Sequence, residues 1–110
     1  MPVRCAQFYN EAGWGDGAWD DGRPHQLFVT RIEVNCTASV YYGYGGWNHD
    51  GTGDWFSLKA EVLGDRLVVF IPEHDAVATY QMSAEGMELF GVWEKNDGSS
   101  DAYVTLKRLQ

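Results

Sequence analysis

Apolar and polar residues alternate in short runs along the second half of the chain, and a turn signal closes each run. Alternation with period two puts one set of side chains on each face of a strand, so residues 55–109 predict five half-buried β-strands joined by hairpins. In the first of these runs Phe56, Leu58, Ala60 and Val62 face one way, while Ser57, Lys59 and Glu61 face the other. Gly64-Asp65 closes that run, with glycine supplying the positive φ that such a turn requires. Residues 66–71 are apolar on both faces, and Pro72 ends them because proline cannot donate to a ladder. Residues 76–82, 87–95 and 101–109 complete the series, separated by Ser83-Ala84-Glu85-Gly86 and Asn96-Asp97-Gly98.

The first half is less regular. Residues 1–9 read as a short lead-in strand, and residues 10–26 are rich in Gly, Asp and Trp with little period. From residue 27 to 34, Phe28, Ile32 and Val34 form an apolar set opposed by Arg31 and Glu33. A tight turn at Asn35-Cys36 leads into residues 37–44, where Ala38, Val40, Tyr42 and Tyr44 share a face. Seven strands follow from Leu27 onward, and an eighth is expected before it. No segment carries a helical period, and no linker divides the 110 residues, so a single all-β domain is expected over 1–110. A long meander leaves two edge strands that would template aggregation, and pairing the first with the last removes both. The expected architecture is therefore an antiparallel up-and-down meander of seven to eight strands closed into a small barrel.

Gly17-Ala18-Trp19 has the Gly-x-Trp form found on the first strand of lipocalins, and Arg108 stands on the last strand. The runs Ala76-Val77-Ala78-Thr79-Tyr80, Leu89-Phe90-Gly91 and Thr105-Leu106-Lys107-Arg108 resemble small bacterial lipocalin-like modules of the calycin type. That resemblance implies that Arg108 closes the barrel over Trp19 by a cation–π contact. The chain departs from the family in being short, in lacking a helix before the last strand, and in offering Gly13-Trp14 as a second anchor.

Charge narrows the partners. Sixteen acidic against eight basic residues give a net charge of −8, which repels phosphate backbones and anionic membranes, so neither nucleic acid nor membrane is an expected partner. No apolar stretch approaches the roughly 20 residues of a membrane span, and no signal-peptide pattern opens the sequence, so the expected location is cytoplasmic. Cys5 and Cys36 are accordingly expected as buried thiols rather than a disulfide.

The expected inward set is aromatic toward one end of the barrel. Tyr42, Tyr44, Tyr80 and Trp93, with Phe56, combine apolar bodies with polar tips, the chemistry of a pocket for small amphipathic molecules. Asp16, Asp20, Asp21, Asp50 and Asp54 fall in the two Trp- and Gly-rich segments, and Asp50 and Asp54 join the aromatics as candidate rim residues for a cation. The expected function is non-catalytic binding of a small hydrophobic or cationic ligand in the barrel mouth. The alternative is a filled barrel acting as a protein-interaction or homodimerisation module through exposed Trp14, Trp47 and Trp55. Asn48-His49-Asp50-Gly51-Thr52-Gly53 opens like a calcium loop, but Lys59 stands at the twelfth position where a bidentate Glu is needed. His25, His49 and His74 lack metal-ligand spacing, and no P-loop, G-x-S-x-G or strand-to-helix G-x-G-x-x-G occurs, so no metal, cofactor or enzymatic activity is expected.

Overall fold

Each alternating run becomes a strand because only the extended backbone can send one residue set inward to a shared core and the next outward to water. The structure is a computed structural model that describes residues 3–20, 22–44 and 54–109. Its strands are β1 (Trp14–Ala18), β2 (Pro24–Ile32), β3 (Thr37–Tyr44), β4 (Asp54–Leu63), β5 (Arg66–Ile71), β6 (Ala76–Met82), β7 (Glu88–Lys95) and β8 (Asp101–Arg108). Every strand pairs antiparallel with the next, and β8 pairs with β1, so the meander is a closed eight-stranded barrel. The core is the column of inward side chains, including Leu27, Val40, Leu67, Val69, Ala78, Leu89 and Leu106. In β5, whose faces the sequence leaves unassigned, Leu67, Val69 and Ile71 point in and Phe70 points out.

Two strands carry an extra residue. On β2 the pairing passes from Val29↔Val40 to Arg31↔Ser39, two steps against one, which is a β-bulge. The bulge reverses the inward parity, so Leu27 and Val29 are buried before it and Ile32 after it. This corrects the expected inward set: Phe28 lies on the outer wall against Trp55, ring centroids 5.7 Å apart, and Val34 is 86% exposed in the turn beyond the strand. The second bulge is on β1, where Trp14↔Leu27 gives way to Gly17↔His25. Asp16 takes a φ of 58° there, a conformation that Asp tolerates better than most residues. Beside it, a Cβ on Gly17 would run into the carbonyl oxygen of Thr105, so glycine is what lets β1 lie this close to β8.

Residues 3–8 form a 3-10 helix rather than the expected lead-in strand, and it stops one end of the barrel with Cys5 and Phe8 buried. Trp14 is fully buried at this end, and its indole N–H donates to the Phe8 carbonyl at 2.9 Å. Arg108 lies over the Trp14 ring, 4.5 Å from its centroid, and its Nε donates to the Gly86 carbonyl at 2.9 Å. The arginine closure expected at Trp19 thus falls to Trp14: Trp14 is the register partner of Arg108, whereas Trp19 lies past the far end of β1. Cys5 and Cys36 form a disulfide, Cα atoms 5.6 Å apart, which replaces the expected free thiols and ties the 3-10 helix to the β2–β3 turn.

Candidate functional site

Among the described residues, the opposite end of the barrel is open. A cavity of about 390 Å³ enters it, walled by Trp19, Tyr42, Phe56, Ile71, Trp93 and Ala102, with Asp20, His74, Ser100 and Asp101 among the polar lining. These residues come from one level of the barrel. Tyr42 and Trp93 occupy the ends of β3 and β7, Phe56 and Ala102 the starts of β4 and β8, and Ile71 the end of β5. Trp19 and Asp20 follow β1, and His74 sits on the short 3-10 turn that Pro72 begins after β5. The wall is thereby largely aromatic and the described rim acidic.

Below the cavity lies the one buried polar side chain that accompanies the hydrophobic core among the described residues, His25. Its ring packs against Tyr42 and Trp19, with centroids 4.4 and 4.9 Å away. Nδ1 is 2.6 Å from the Gly43 carbonyl and Nε2 is 2.6 Å from the Tyr80 hydroxyl. A carbonyl only accepts, so Nδ1 carries the proton and Nε2 accepts the Tyr80 O–H. Burial lowers the His25 pKa to about 4, with the Gly43 hydrogen bond acting in the opposite direction. Burial also holds Tyr80 well above the ordinary phenol value, and the neighbouring Tyr42 pushes it the same way. The chain Tyr80 to His25 to Gly43 is therefore uncharged at neutral pH, and it fixes the floor beneath Trp19 and Tyr42.

Of the residues that the sequence nominates, Tyr42, Phe56 and Trp93 come together in the wall. Tyr80 is fully buried in the interior and bonds to His25 instead of lining the cavity. Tyr44 and Asp54 are backbone register partners at the ends of β3 and β4. Asp50, Trp47 and His49 lie outside the described residues. Trp14, expected on an exposed aromatic surface, is in the core. Sequence reasoning missed Trp19 as a wall residue, Asp101 as a rim acid and His25 as a buried group. The last was readable, because His25, Leu27 and Val29 are one odd-numbered inward set on β2.

Among the described residues no helix is long and apolar enough to cross a membrane. No family model matches the chain, and no curated protein compared with it is similar enough to match.

Proposed function

We propose that this chain is a lipocalin-like binding module that holds a small hydrophobic or cationic molecule in its open mouth without transforming it. The observation that carries the reading is the cavity of about 390 Å³, whose wall includes Trp19, Tyr42, Phe56 and Trp93, with Asp20 and Asp101 among its lining residues. Its volume falls within the range of small-molecule sites, and its lining is the mixture of apolar surface and a few polar groups that such sites use. His25 supports a binding rather than a catalytic role, because both ring nitrogens are engaged inside the protein. The disulfide favours function in an oxidising compartment over the cytoplasm expected from the sequence.

Titration with the neutral apolar dye N-phenyl-1-naphthylamine, read by dye fluorescence, tests the reading. Trp93→Ala should weaken binding about tenfold or more, because it removes one large wall of the site. The Trp93→Ala barrel should still melt cooperatively, since Trp93 is only partly buried. An unchanged affinity would remove the mouth as the site.

The outer wall favours a second reading. Phe28, Tyr41 and Trp55 neighbour one another on the outside of β2, β3 and β4, with Tyr41 and Trp55 each half exposed, which suits a protein interface or a homodimer. Light scattering separates the two: the binding reading expects a monomer, and a dimer lost in Trp55→Ser would favour the interface.

A further inference from the structure

The hydrogen bond between His25 and Tyr80 crosses the inside of the barrel. His25 stands on β2 and Tyr80 on β6, and in the closed ring three strands separate these two in either direction, β3, β4 and β5 one way and β7, β8 and β1 the other. The two strands therefore face each other across the lumen, and the 2.6 Å contact between Nε2 and the Tyr80 hydroxyl joins opposite walls. Both ends of this strut are seated. His25 is held at Nδ1 by the Gly43 carbonyl of β3. The Tyr80 ring lies against β7 at Gly91, where an added Cβ would come 2.9 Å from its Cε1.

The strut separates large inward side chains from small ones. Toward the closed end the strands turn in Leu27 on β2, Leu67 on β5, Leu89 on β7 and Leu106 on β8, all fully buried. Toward the mouth β6 turns in only Ala76 and Ala78, and β8 brings Ala102 to the cavity wall. The cavity of about 390 Å³ occupies this upper level. His25 backs it directly, since its ring packs on two wall residues, Trp19 and Tyr42, at centroid distances of 4.9 and 4.4 Å. Tyr80, fully buried, fills the lumen behind them. A close-packed interior resists an incoming group, so the strut acts as a stop rather than a cushion.

Resting on the binding function proposed above, we infer that the His25–Tyr80 strut is the floor that limits how long an apolar tail the mouth accepts. The two are positioning residues: His25 props Trp19 and Tyr42, and the bulk of Tyr80 closes the way to the lower lumen.

Alkyltrimethylammonium homologues with hexyl, octyl, decyl and dodecyl tails test this on the intact protein by isothermal titration calorimetry. The charged head stays in water at the mouth, so only the tail measures depth. Each buried methylene should tighten binding about fourfold until the tail meets the strut, and affinity should then stop rising before dodecyl is reached. Tyr80→Phe keeps the ring and should keep the limit. Tyr80→Ala empties the floor, and the homologue it prefers should be longer by at least one member of the series. Lost packing alone would weaken every tail alike and leave the preferred length where it was. Should Tyr80→Ala fail to fold, His25→Ala withdraws the other half of the strut and carries the same expectation. A gain that continues unbroken to dodecyl in the native protein, or a preferred length unchanged in a folded alanine variant, would overturn this inference and leave the binding function standing. No binding by any homologue would overturn both.

Discussion

His25 is enclosed by Trp19, Tyr42 and Tyr80, and adding a proton to it would cost the Tyr80 hydrogen bond and bury a charge. Its folded pKa of about 4 lies below the ordinary 6.5, so between those values the unfolded chain binds a proton that the folded chain does not. The stability that neutral His25 contributes is therefore complete above pH 6.5 and declines as pH falls toward 4. The total decline is about 3 kcal/mol. Urea unfolding across this window should show a steeper pH slope for the native protein than for His25→Gln; equal slopes, or an imidazole that titrates at its ordinary value by NMR, would contradict the enclosure. The seam between β1 and β8 is sensitive to a single methyl group. Gly17→Ala would force its Cβ against the Thr105 carbonyl, and the melting temperature should fall by several degrees, in keeping with an overpacking cost of about 1–3 kcal/mol.

At the scale of elements, the 3-10 helix is held by Arg108, Trp14 and one covalent bond. Cys5 and Cys36 are 31 residues apart, and a loop of that length gives a disulfide worth about 3–4 kcal/mol in the chain-entropy account. Adding a reductant, or substituting Cys5→Ala with Cys36→Ala, should lower the urea midpoint correspondingly; an unchanged midpoint would mean that the helix caps the barrel without the bond. The sequence made most elements legible because β4 and β6–β8 keep one uninterrupted alternation. It misled where the alternation breaks. The β2 bulge joins two apolar phases, so Phe28 and Ile32 look like one face although they point to opposite sides of the wall. The N-terminal helix was not legible either. Its residues Val3–Phe8 are too few to display a period, and its formation depends on packing Cys5 and Phe8 against the core.

At the scale of the molecule, the barrel is unequal at its two ends. One end is stopped by the 3-10 helix, the disulfide and the Arg108–Trp14 stack. Among the described residues, the other opens into a cavity lined by Trp19, Tyr42, Phe56 and Trp93. Part of that site could be read from the alternating strands, since Tyr42, Phe56 and Trp93 share the inward parity of their neighbours. Trp19, Asp20, His74 and Ser100 lie beyond or between strands, and their placement depends on closure of the barrel rather than on any local pattern. The most direct test of the open, ligand-holding mouth is a nitrogen-15 NMR titration with heptyltrimethylammonium, following the tryptophan indole N–H signals. Trp19 and Trp93 should shift, while Trp14 at the closed end and Trp55 on the outer wall should stay in place. Shifts confined to Trp55, or no shift of Trp19 and Trp93 at saturating concentration, would contradict it.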